Sequence, residues 1–171
     1  GSQDVKYLHS GTCGPGYACN YNSKLPCAWG AVKALKAFNV VPDPDRPPDL
    51  NLALELTANF LLDNNLHKAA FPGDDSISSN WFKFGFPLSY QSDLLEAAGA
   101  LVDAGYGADP RLTDTLSFIK SKQGSDGMWI MEKSLNGKMW VDIEEKGKPS
   151  QWLTRKARRV LSNQPAINSQ N

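Results

Sequence analysis

The sequence predicts a mainly α chain built from helical hairpins, with one small β-hairpin inserted. Three observations carry this reading. Five stretches place apolar residues at helical spacing, a Pro-x-x-aromatic tetrad recurs near the head of three of them, and an Asn-Gly pair interrupts extended sequence between the fourth and fifth.

The first helix, about Ala28 to Val40, puts Ala28, Val32, Leu35 and Phe38 on one face behind Pro26, a residue suited to a helix entrance. The second opens with Asp49 as N-cap and aligns Leu52, Leu56 and Phe60, with Ala53 and Leu61 beside them. The third, about Ser89 to Ala104, gathers Leu94, Leu95, Ala98, Leu101 and Val102 and stops at Gly105. The fourth starts at Asp109-Pro110, a cap followed by proline at the first helical position, and stacks Leu112, Leu116 and Ile119. The fifth starts at Pro149-Ser150 and buries Leu153, Ala157, Val160 and Leu161, leaving Arg155, Lys156, Arg158 and Arg159 on the remaining surface. Between the last two, Met128–Ser134 and Lys138–Ile143 flank Leu135-Asn136-Gly137. Asn and Gly both tolerate positive φ, so these two runs are expected to pair as the hairpin. Leu66 to Gly85 reads as a long loop carrying several aromatics.

Pro26-Cys27-Ala28-Trp29, Pro87-Leu88-Ser89-Tyr90 and Pro149-Ser150-Gln151-Trp152 repeat at intervals of 61 and 62 residues, each launching an amphipathic helix. The repeating unit is a helical hairpin. Such units cannot bury their apolar faces alone, so they stack into a solenoid or close into a ring.

Composition bounds the function. The 171 residues are 41% hydrophobic with 18 basic and 18 acidic side chains, as expected of one globular domain over residues 3–162. Gly1-Ser2 reads as a tag remnant and 163–171 as a polar, disordered tail. Zero formal charge and a pI of 6.9 argue against a nucleic-acid partner. Apolar stretches are broken by Lys36, Asn59 or Asp103, so no membrane span is expected. No secretory signal precedes the domain, and three cysteines within fifteen residues suit a reducing compartment, so a cytoplasmic location is expected.

Phe118-Ile119, Gln123, Gly127 and Trp129 carry the spacing of the QW motif of squalene-hopene cyclases and related terpenoid cyclases. Together with Trp81-Phe82-Lys83-Phe84-Gly85-Phe86-Pro87, Gly105-Tyr106, Asp109-Pro110-Arg111 and Gly147-Lys148-Pro149-Ser150, this resembles uncharacterised bacterial proteins with prenyltransferase/squalene-oxidase repeats, from about Cys13 to Leu161. The resemblance implies an α/α toroid, in which inner helices surround a central cavity and outer helices form a second shell. The Pro-x-x-aromatic helices would be the inner ones, and Gln123, Gly127 and Trp129 structural. A complete toroid of this type has about twice as many helices, so the resemblance implies a partial or half toroid. It would be completed by a missing N-terminal half or by a homodimer. The enzymes' Asp-x-Asp-Asp acid has no counterpart: Asp43-Pro44-Asp45-Arg46 lacks the paired carboxylates and sits in a proline-rich turn. Neither the Asp-Cys-Thr-Ala-Glu motif of oxidosqualene cyclases nor the prenyltransferase zinc ligands can be placed.

Two constellations could carry chemistry. His9, Cys13, Cys19 and Cys27, interleaved with glycines, suit a closed, structural zinc site; an iron–sulfur cluster is the less suitable alternative, and Cys27 as a core residue beside two free thiols or one disulfide the plainest. The aromatic set Trp29, Trp81, Phe84, Phe86, Tyr90, Trp140 and Trp152 could line a cavity for an isoprenoid or other apolar molecule, or could be ordinary core. Asp93 and Glu96, candidate general acids if burial raised their pKa, and Lys33 and Lys156 are the ionisable groups expected to face such a cavity. Asp74-Asp75 reads as a solvated loop in preference to a magnesium site. His67 receives no role. The leading expectation is a non-catalytic repeat domain that binds an apolar small molecule or a protein partner. Its rivals are an isoprenoid-processing enzyme and a metal or redox protein centred on the cysteines.

Overall fold

The structure, a computed structural model, describes residues 26–71 and 78–162. Five helices appear within the expected stretches: α1 (Ala28–Phe38), α2 (Pro48–Asp63), α3 (Leu94–Asp103), α4 (Thr113–Ser121) and α5 (Gln151–Ser162). Short 3₁₀ turns occupy Asp43–Asp45, Ser79–Phe82 and Pro110–Leu112. Among the described residues no helix is long and apolar enough to cross a membrane.

The expected apolar faces of α1, α3, α4 and α5 turn inward. Val32, Leu35, Leu94, Leu95, Leu101, Leu112, Leu116, Ile119, Leu153, Ala157 and Val160 are all buried. Asp109 caps the turn at Pro110–Leu112 by accepting from the Arg111 N–H, and that turn runs directly into α4. Ser150 caps α5 by accepting from the Leu153 N–H at 3.0 Å. Gly105, at φ +90, lies just past the end of α3, where a left-handed residue lets the chain leave the helix.

α2 differs from expectation. Its buried side is Leu54, Ala58, Leu61 and Leu62, while Leu52 and Leu56 are 55% and 62% exposed. Leucines at 50, 52, 54 and 56 satisfy two helical stripes at once, and periodicity does not choose between them. The helix starts at Pro48, and Asp49 lies in its first turn instead of capping it. α3 starts five residues later than expected, at Leu94, because Asp93 takes the N-cap position; its carboxylate accepts the Glu96 N–H at 2.8 Å. The Pro87–Tyr90 tetrad therefore precedes α3 in irregular chain, unlike its two counterparts, which lead directly into α1 and α5.

The two-stranded antiparallel sheet also has a different partner. β1 (Trp129–Ile130) pairs with β2 (Pro149–Ser150), Trp129 opposite Ser150, and not with Lys138–Ile143. Bonds from Met131 N–H to Lys148 O and from Gly147 N–H to Met131 O carry the pairing one step further. The turn at Asn136-Gly137 is present, with Gly137 at φ +75. Its polar groups are claimed by the returning chain: Asn136 donates to Glu144 O, and the Gly137 N–H donates to Asp142. These bonds fold Lys138–Ile143 back on the turn and leave Trp140 and Val141 exposed.

The helices pack as two rows. α1 lies against α2 and α3, and α3 against α1, α4 and α5, while α4 also packs on α5. Thus α1, α3 and α5 follow one another in one row, with α2 and α4 behind it. α3 is the shared element, with every residue from Leu94 to Leu101 buried. Trp81 and Phe84 extend the core from the preceding loop, and the Trp81 indole N–H donates to Leu66 O. Trp129 closes the core from β1. Its indole N–H donates to Ile119 O at 2.7 Å and its backbone N–H to the Thr154 hydroxyl at 3.0 Å. Gln123 bridges to Trp129 and donates to Gly127 O, which also accepts from Arg158 of α5. Gln123, Gly127 and Trp129 therefore tie the end of α4 to α5.

A basic groove across α1, α3 and α5

One strip of α3 repeats at helical spacing: Glu96, Gly99 and Ala100, which are buried, and the exposed Asp103. These four form the floor of an open groove of about 340 Å³. Lys36 of α1 stands on one side, and Trp152, Arg155, Lys156 and Arg159 of α5 on the other, with Phe86 at one end. Phe86 and Trp152 are stacked, their rings 4.7 Å apart and inclined by 11°. Small residues at 99 and 100 keep the floor low. The volume is at the small-molecule end of the range for ligand pockets.

Glu96 is the electrostatic centre. It is 3% exposed and receives Lys33 at 2.7 Å on one oxygen and Lys36 at 2.6 Å on the other. Burial alone would raise its pKa, but the two lysine hydrogen bonds, with Lys156 nearby, outweigh burial and hold the carboxyl below its ordinary value. Asp93 takes the opposite course. Burial raises its pKa above the ordinary value despite the charges of Lys156 and Lys133 and the N–H groups of Glu96 and Gly85. One Asp93 oxygen accepts from Glu96 N–H and the other from Gly85 N–H. Glu96 is held between two ammoniums, and Asp93 is 1% exposed with one oxygen on each of two backbone N–H groups.

Lys156 differs from Lys33 and Lys36. Burial lowers its pKa, an effect only partly opposed by Asp93 and Glu96. No carboxylate among the described residues lies within 4 Å of its ammonium, whereas Arg159 pairs with Asp103 at 2.5 Å. The groove thus carries Lys36, Arg155, Lys156 and Arg159 against Glu96 and Asp103, an excess of positive charge beside an aromatic stack.

The other sequence candidates are dispersed. Trp81 and Phe84 belong to the core. Trp29 meets Tyr90 edge-on at 5.8 Å, away from the groove walls, and Trp140 is fully exposed on the excursion between β1 and β2. Of the aromatic set only Phe86 and Trp152 reach the groove. Cys27 occupies the N-cap position of α1, and its three expected co-ligands His9, Cys13 and Cys19 lie outside the described residues, as do Asp74 and Asp75. His67 sits 3.9 Å from Asp114, between the end of α2 and the start of α4. Lys36, Gly99, Arg155 and Arg159 escaped sequence reasoning. Their signal was present in the small-and-polar stripe of α3 and in the acid-free composition of α5. Comparison with protein-family models, with curated proteins and with solved structures finds no match for this chain.

Proposed function

We propose that the chain is a non-catalytic helical-repeat domain that holds an amphipathic anion in this groove. The apolar body of the ligand lies on the Phe86–Trp152 stack and its head group meets Lys156, with Lys36 and Arg155 beside it. The observation that carries this reading is Lys156, a half-buried ammonium facing an open groove without a carboxylate partner among the described residues. A desolvated cation gains most from an incoming anion, because the charge-assisted bond restores what burial removed. The succession α1, α3, α5 in one row, with α2 and α4 behind, supports the further reading that these are inner and outer helices of a partial α/α toroid of the prenyltransferase/squalene-cyclase type. On that reading an isoprenoid with an anionic head is the natural ligand class.

Titration of farnesyl diphosphate, with farnesol and inorganic diphosphate as half-ligands, followed through Trp152 fluorescence and calorimetry, tests the proposal. The whole amphiphile is expected to bind more tightly than either half, and Lys156→Ala to weaken it about tenfold, the loss of one charge-assisted contact. Equal binding by Lys156→Ala, or no binding of the amphiphile at millimolar concentration, rejects it.

A further inference from the structure

We infer that two copies of this chain associate head to tail, the outer face of α2 in one meeting the outer face of α5 in the other. α2 packs on α1, and α5 on α3 and α4, and the two helices are opposite in charge. α2 contains Asp49, Glu55 and Asp63 and no base; α5 contains Arg155, Lys156, Arg158 and Arg159 and no acid. Arg111 takes Asp63 within the chain, and Asp103 takes Arg159, which leaves Asp49 and Glu55 as the exposed acids opposite Arg155 and Arg158.

Each face also presents unburied apolar surface in register with its charges. Leu52 and Leu56 are one turn apart on α2 and flank Glu55; on α5 Trp152, half exposed where it stacks on Phe86, precedes Arg155, so a docked copy and a groove ligand compete for these two residues. An apolar stripe interleaved with charge of one sign, opposed on the same molecule by an apolar residue interleaved with the other sign, fits a second copy better than a foreign chain. The 18 acidic and 18 basic residues leave copies with no net repulsion to overcome. The contact is heterologous, so each copy offers one unused face of each kind, and growth continues past two unless the ring closes.

Sedimentation velocity over a concentration series at low and high salt tests this. The native chain is expected to exceed its 18.7 kDa monomer mass in a concentration-dependent manner. Association should weaken roughly tenfold or more between about 0.05 and 0.5 M salt, as exposed charge pairs are screened. Glu55→Lys/Leu56→Lys spoils only the α2 face, and the neutral Arg155→Ala/Arg158→Ala only the α5 face, so the two spoiled faces do not attract each other. Each variant alone is expected to be monomeric with native circular dichroism, and their mixture to form a one-to-one dimer that grows no further. A native chain that stays monomeric at about 100 µM, in the affinity range of weak interfaces, overturns the inference and assigns the α2 stripe to another partner. Variants that still self-associate, or a mixture that remains monomeric, overturn it equally. If either double variant loses its native circular dichroism, the single changes Leu56→Lys and Arg155→Ala replace it in the same mixing experiment.

Discussion

Gly85 and Gly99, fourteen residues apart, have opposite tolerances. A Cβ on Gly99 would stand 3.6 Å from Lys156 and Arg159 atoms, ordinary contact distance, inside a helix where glycine is unfavourable. Gly99→Ala is therefore expected to stabilise the fold by about 0.5–1 kcal/mol in urea denaturation while raising the groove floor. A Cβ on Gly85 would meet the Lys133 carbonyl at 2.8 Å, and the Gly85 N–H holds Asp93. Gly85→Ala is expected to cost more than about 1 kcal/mol by the same measurement. Glu96 and Asp93 oppose each other in pH dependence. Because the Glu96 carboxyl lies below its ordinary value in the folded chain, its contribution is present above the ordinary glutamate range and fades as pH falls through the folded value. Asp93, raised by burial, favours the fold while protonated and loses that advantage as pH rises through its folded value. The destabilisation by Glu96→Gln, about 1–3 kcal/mol at pH 7 after allowing for the partly exposed lysines, should therefore shrink as pH falls below the ordinary glutamate range. Sequence had singled out Asp93, Glu96, Lys33 and Lys156 as facing one place. Their pairing was hidden because it depends on how α1 is set along α3, which no local pattern encodes.

At the scale of elements, local chemistry identified every helix, and four of the five buried faces, from periodicity, capping residues and glycine stops. The misreading of α2 came from its own composition, since alternating leucines make a helix apolar on more than one side and only its neighbours select the buried stripe. The hairpin shows another kind of competition. The Asn-Gly turn forms as its backbone preference requires, but Asn136 and Gly137 bond to Glu144 and Asp142, and the strand pairing passes to Pro149–Ser150. Glu144 then finishes the excursion at the head of α5, where one carboxylate oxygen accepts from the Ser150 hydroxyl and the other from Gln151 N–H. Glu144→Ala is expected to destabilise by about 1 kcal/mol, the typical worth of an N-terminal cap. Hydrogen exchange at Gln151 and Leu153 should accelerate more than at Ile119, and uniform acceleration would contradict the capping role.

For the whole molecule, the decisive feature is α3, which draws its covering from segments on both sides of it in the chain. The periodicity of α3 itself did not reveal that α1 and α5 would both pack on it. Removal of α5 takes Val160 away from Gly99 and the Thr154 hydroxyl away from Trp129, so a chain ending at Lys148 is expected to lose its cooperative thermal transition; a sharp transition would show that α1–α4 suffice. The same dependence constrains synthesis. Roughly sixty residues separate the end of α3 from the end of α5 and, at about 5–20 residues per second, take roughly 3–12 s to make. During that interval the nascent chain carries a finished α3 with its α5-facing side still bare, so exposure of apolar surface is greatest in the unfinished chain and not in the completed protein.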